Sequence, residues 1–304
     1  MSLQAFERIV DVNRIGEPDN QPLGSLLAQN QSARKSSMDQ EKTLLLAIDL
    51  QNDFMDAGAL GVPGAKQDME RLLHFMYRHF EDITHVMASI DTHKPQQIFH
   101  PCWWHDDKGN EPEPLTIIEW KDVKEGKWLP RFYPEQSRTY VQKLEETSKQ
   151  KLCIWPYHCL KGSYGVALEG QFARMAYVHS LLRDYELKTV VKGEDPLSEM
   201  YGILQPEYSE KNLVREDVVE QIKSYDNIVV AGQAKSHCVI ETVKQIIEHL
   251  KKDRNHFHHL YVLTDCMSSI PGFEEETNKE FAQLKEDYGM QLITSEEWAS
   301  FKGR

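Results

Sequence analysis

No stretch of about 18 apolar residues occurs in this chain, so no membrane-spanning helix is expected. The N-terminus lacks a basic segment followed by an apolar one, and export is not expected. Positive charge is the minority: 35 Lys and Arg stand against 48 Asp and Glu, a formal net charge of −13. That balance argues against a nucleic-acid surface, which needs a basic face. Cysteine is sparse, with five residues scattered and odd in number. Such usage fits a reduced, cytoplasmic protein and excludes a disulfide framework. No internal repeat is visible.

What is present is alternation. Strand-like runs at 43–49, 84–90, 188–192, 226–232, 258–264 and 290–293 are separated by segments of helical spacing. Over 66–81, Met69, Leu72, Leu73, Met76 and Phe80 recur every three or four residues; 165–183 and 274–287 read as further helices. After Cys238, Val239, Ile240, Val243, Ile246, Ile247 and Leu250 mark one apolar helix face. Strands alternating with helices predict a three-layer α/β/α fold around a mostly parallel, doubly wound sheet. At 304 residues the chain allows one large domain of this kind or two small ones.

Two segments break the alternation. Residues 1–40 are polar and read as an N-terminal arm, either loosely packed or docked on the domain or a neighbouring subunit. Residues 101–150 carry Trp103, Trp104, Trp120 and Trp128 among many charged residues. This segment reads as a rim insertion: four tryptophans need burial, and long loops in compact domains tend to be lids or binding elements.

In an open parallel sheet, ligands bind beyond the carboxyl ends of the strands. Asp49 ends the apolar run 44–48, Lys192 ends Thr189-Val190-Val191, and Cys238 follows the run Ile228–Gly232 after a short turn. An acid, an amine and a thiol at one rim are the equipment for a covalent acyl-enzyme. Asp49 is the candidate base, Lys192 the charge that tunes it, and Cys238 the nucleophile. Cys238 stands just ahead of a helix, whose positive end is expected to favour the thiolate.

Asp91 and His93 follow the run Val86–Ile90, and His158 lies in Trp155-Pro156-Tyr157-His158-Cys159. Two imidazoles and a carboxylate leave coordination positions open, as catalytic metal sites do. Zinc suits such ligands best, with iron and manganese as alternatives. His100 and His105 are weaker additional candidates.

These motifs together resemble the isochorismatase-like cysteine hydrolases and, within them, the nicotinamidases. Asp49 to Phe54 match the opening D-x-Q-N-D-F; Asp91 and His93 match D-x-H; Trp155 to Cys159 match W-P-x-H-C. Lys192-Gly193 match the K-G pair, and Gly232 to Val239 match the nucleophile turn G-x-A-x-x-x-C-V. The matches run in the family's order across residues 43–270. The resemblance implies one hydrolase domain over 41–304 that acts on nicotinamide through a cysteine thioester, in NAD salvage. It implies a cis peptide at Gln233-Ala234 and an oxyanion hole made by the Ala234 and Cys238 N–H groups. It implies a pocket for a flat ring lined by Phe54 and Trp155, with Gln233 and Tyr201 beside them, and a bound divalent metal. The partners expected are a small amide substrate and further copies of the chain in a homo-oligomer, not nucleic acid or membrane. A carbamoyl or ureido substrate, or a non-catalytic binding role on the same scaffold, are the alternatives. Lys235-Ser236-His237, Glu199–Leu204 and the long spacing from His93 to His158 depart from the family pattern and bear on substrate choice.

Overall fold

The computed structural model describes residues 6–19, 22–27, 33–147, 151–211, 213–250 and 259–298. Position 258, where the fifth strand was expected to start, and parts of 1–40 and 101–150 lie outside them.

The six expected strands form one sheet: β1 (Thr43–Ile48), β2 (His85–Asp91), β3 (Lys188–Lys192), β4 (Asn227–Gly232), β5 (Leu260–Leu263) and β6 (Gln291–Ile293). Their order is β6-β5-β4-β1-β2-β3, and every pairing is parallel. The chain winds from β1 outward to β3, then crosses to the other side of β1 to begin β4. This reversal opens a crevice at the carboxyl ends of β1 and β4, the usual place for a ligand in such sheets.

Strand period fixes the two cores. On β1, Leu45 and Ala47 face one side, and Leu44, Leu46 and Ile48 face the other. The first face is covered by α1 (Ala65–Arg78) and α3 (Gly170–Arg183). The second is covered by α4 (Glu216–Lys223), α5 (Ile240–Leu250) and α6 (Glu274–Tyr288). The three-layer α/β/α fold expected from the alternation is therefore present. Between the layers of the first face sit Phe6, Ile9, Val10, Ile15 and Leu26, so these described residues of the arm are packed into the domain core.

The insertion contains the helix α2 (Pro134–Thr147) and one short antiparallel strand pair, and its Ile117–Ile118 pairs with Leu152–Cys153 just beyond it. It builds a third apolar cluster, in which Trp103, Trp104, Tyr140, Val141 and Leu144 pack with Phe99 and Trp155. Trp103 and Trp104 are fully buried; Trp120 and Trp128 are half-buried against the same cluster. Among the described residues, no helix is long and apolar enough to cross a membrane.

Candidate active site

Strand register assembles the charged centre. Asp91 is the partner of Lys192 across β2 and β3, and Ile48, just before Asp49, pairs with Gly232 of β4. A side chain at Gly232 would put its Cβ 2.0 Å from the Ile48 carbonyl oxygen, so only glycine lets these strand ends close together. Lys192 lies between two carboxylates. Its Nζ is 3.0 Å from Asp49 Oδ2, 3.0 Å from Asp91 Oδ1 and 3.7 Å from Cys238 Sγ, and it donates to the Met200 carbonyl at 3.0 Å. All four side chains are buried.

Burial sets the protonation of this group. It pushes Asp49 above the usual carboxylate range, against the pull of Lys192. Burial also opposes charge on Lys192 and Asp91, but their neighbours prevail. Asp49 and Asp91 hold the ammonium well above its ordinary value, and His93 and Lys192 hold Asp91 low. For Cys238 burial wins outright and raises the thiol well above its ordinary value, although Lys192 opposes it. This corrects the expectation of a thiolate favoured by the helix end. Cys238 lies on a π-turn, Lys235–Val239, ahead of α5, and its thiol is hydrogen-bonded to Asp49. A raised carboxylate facing a protonated thiol is the arrangement in which a proton passes during attack rather than before it. Asp49 also accepts the Ser89 hydroxyl at 2.6 Å, a partner that its sequence context does not announce.

Beside this group, Asp91, His93 and His158 bring ligand atoms within 4.8 Å of one another. His158 Nδ1 lies 2.8 Å from the Pro156 carbonyl and His93 Nδ1 lies 3.1 Å from the Gly193 carbonyl. Carbonyl oxygens only accept, so each Nδ1 carries the proton and each Nε2 presents a lone pair. His93 Nε2 faces Asp91 Oδ2 at 2.8 Å, and two acceptors that close require a proton or a cation. Burial holds His158 neutral, down to about 3. The donor set thus fits a divalent metal, with each imidazole oriented through its other nitrogen. A Cβ at Gly193 would fall 2.6 Å from both Asp91 Oδ1 and His93, which explains the glycine after Lys192. His100 is buried nearby with Nε2 unpartnered, its ring 6.0 Å from those of His93 and His158. His105 is elsewhere, on the strand pair with Leu129.

The D-x-Q-N-D-F segment organises both clusters. Gln51 is fully buried; its side chain donates to the Asp91 carbonyl at 2.7 Å and accepts the Asp91 N–H at 2.8 Å. Asp53 accepts the N–H of Cys159, next to His158, at 2.7 Å.

Phe54, Trp155, Tyr201, Ala234 and Cys238 line one pocket together with the metal-type ligands. The Gln233–Ala234 peptide is cis. Gln233 does not face the pocket: its amide donates to Asp68 Oδ2 at 2.9 Å and accepts the Ser268 N–H, so it braces the turn from behind. Glu199, His237 and Phe99 also line the pocket. Sequence reasoning passed over them as site residues, although Glu199 and His237 lie in the two segments that depart from the family pattern. Cys159 is buried and its thiol is raised by that burial.

A curated nicotinamidase of Escherichia coli (strain K12) is 25% identical over 263 residues, covering 85% of this chain and 98% of that protein. Yeast nicotinamidase bound to the inhibitor nicotinaldehyde superposes with a TM-score of 0.58 at 20% identity, covering 83% of this chain and 99% of that one. The chain has the isochorismatase-like hydrolase fold. A nicotinamidase/pyrazinamidase of Acinetobacter baumanii is similar at a TM-score of 0.56 and 16% identity, over 85% of this chain and 99% of that one. No family model matches the chain.

Proposed function

We propose that this protein is a nicotinamidase-like amidohydrolase that converts nicotinamide and water to nicotinate and ammonia. The observation that carries the reading is the convergence of Asp49 and Lys192 on Cys238, whose thiol lines an aromatic-walled pocket. Cys238 Sγ bonds to the carboxamide carbon while its proton passes to Asp49. The oxyanion is held by the N–H groups of Ala234 and Cys238. The C–N bond breaks, ammonia leaves with the proton from Asp49, and a thioester remains on Cys238. Water adds to the thioester carbon, Asp49 takes its proton, and the C–S bond breaks as the thiol is restored. Lys192 keeps two carboxylates close to the thiol without their repelling each other. Asp91, His93 and His158 would hold a divalent metal, zinc by the chemistry of the set, with His100 as a further imidazole within reach. When bound, the metal supplies a Lewis-acid contact for a ring nitrogen. Phe54 and Trp155 confine the ring, and the aromatic lining excludes bulk water.

The test is ammonia release by the purified protein from nicotinamide, pyrazinamide and an N-carbamoyl amine, with Cys238→Ala as control. Nicotinamide turnover that disappears in the variant is expected. Turnover confined to the carbamoyl compound, or retained without the thiol, overturns the reading. Nicotinamide should slow the alkylation of Cys238 and leave that of the other cysteines unchanged.

A further inference from the structure

The insertion reaches the pocket through a chain of hydrogen bonds. Tyr140, on α2, is buried, and its hydroxyl accepts the Glu199 N–H at 3.0 Å. Glu199 is buried too, and its Oε1 accepts the indole N–H of Trp155 at 2.5 Å. The Tyr201 hydroxyl also meets that N–H, at 3.2 Å, and hydrogen-bonds the Glu199 carboxyl. The Trp155 ring stands edge-on to Tyr201 and to His237, at 86° and 87°. Trp155, Glu199, Tyr201 and His237 all line the pocket; Tyr140 does not.

A buried carboxylate in an aromatic wall is costly unless it is used. Its position on the indole N–H defines one rotation of the Trp155 plane, because the single in-plane donor is held most closely by Glu199, with the Tyr201 hydroxyl farther off at 3.2 Å. The Glu199 backbone is in turn tied to α2, an element that the alternating α/β pattern does not require.

We propose that the insertion is a specificity-determining part of the active site: Tyr140 positions Glu199, and Glu199 locks the plane of the Trp155 indole against which a flat aromatic amide packs. Tyr140 and Glu199 are positioning residues here, because both act through Trp155. The inference rests on the nicotinamide reading of the same pocket.

Steady-state kinetics on nicotinamide test it, with Glu199→Leu, Glu199→Gln and Tyr140→Phe beside the parent. Glu199→Leu is expected to raise KM about tenfold, with kcat within about threefold, since a short hydrogen bond to the ring wall is lost while the thiol is untouched. Glu199→Gln retains a carbonyl acceptor for the indole and should recover part of that loss. Tyr140→Phe keeps the packing of α2 and removes one hydroxyl; it should raise KM by a few-fold and shift the tryptophan emission. Iodoacetamide should alkylate Cys238 at the parent's rate in all three. Unchanged KM in both Glu199→Leu and Tyr140→Phe overturns the inference, as does a fall in kcat and alkylation rate together. If Glu199→Leu fails to fold, Tyr140→Phe and Glu199→Gln decide alone. If the parent itself releases no ammonia from nicotinamide, the functional reading has failed rather than the account of the wall.

Discussion

The two ends of the central sheet both bury polar side chains, and they do so to opposite effect. At the amino end, His179 and His85 each have a partner on both ring nitrogens. His179 meets Tyr185 and the Phe80 carbonyl, and His85 meets Tyr225 and Ser36. The buried cation Arg183 meets the anion Asp39, which also pairs with the half-exposed Arg34 and accepts the Thr84 hydroxyl. At the carboxyl end, one ammonium, Lys192, is shared by Asp49, Asp91 and the Cys238 thiol. Balanced polar burial holds the arm and the sheet together. Unbalanced burial leaves a carboxylate raised and a thiol within its reach, which is a reactive state kept in place by the same fold. Charge count, and not burial, separates the structural end from the chemical one.

The strongest way to break this comparison is at the thiol. Cys238→Ser should fold, and its turnover should drop to about a thousandth of the parent's or less, because a hydroxyl is a far weaker nucleophile beside a carboxylate base. Ammonia release with thermal melting as a folding control checks it; a variant above about a tenth of parental rate would place the nucleophile elsewhere.

Next comes the shared cation. Lys192→Met leaves two buried carboxylates facing each other, and should cost about 3–5 kcal/mol of stability together with nearly all activity. Because those acids would then bind protons more readily, the lost stability should partly return as pH is lowered. Denaturant unfolding at two pH values reads both effects.

The matching change at the other end is Arg183→Met. It leaves Asp39 only the half-exposed Arg34, 3.1 Å away, and should cost less than Lys192→Met, about 1–3 kcal/mol, yet leave kcat/KM within about twofold. Equal loss of activity at the two ends would remove the distinction between them.

The smallest effect concerns His179. Burial, with Arg183 adding to it, lowers this imidazole from 6.5 to about 3. The unfolded chain therefore binds a proton that the native state refuses between those values. The contribution of His179 is complete above about pH 6.5 and is lost as pH falls toward about 3. His179→Gln should make the fall in unfolding free energy over that window shallower. An unaltered slope would mean that other groups carry the acid sensitivity.

The sheet was legible because its central strands are apolar on both faces and strands end abruptly in charge, as β1 does before Asp49 and β3 at Lys192. Motif order then identified which strand ends meet. α4 escaped notice because its apolar residues, Val218, Val219 and Ile222, fill barely two turns inside a polar stretch. The orientation of Gln233 was illegible for a different reason. Neighbourhood in sequence says that it lies at the nucleophile turn, but only the fold brings Asp68 behind it to claim its amide. The state of Cys238 was misjudged because a helix end is visible in sequence, whereas total desolvation of the thiol is not.

Gln51 has a consequence for how the molecule breathes. β1 stops at Ile48, but β2 runs on to Asp91, and the glutamine side chain takes the place of the missing strand by bonding both the N–H and the carbonyl of Asp91. The seam beside the metal-type ligands is therefore stitched by an amide that no peptide ladder renews. Under hydrogen–deuterium exchange, the Asp91 amide should be as slow as those of the central strands. Its protection should depend on one rotamer of one side chain, so that Gln51→Ala opens this stitch while the rest of the sheet stays shut.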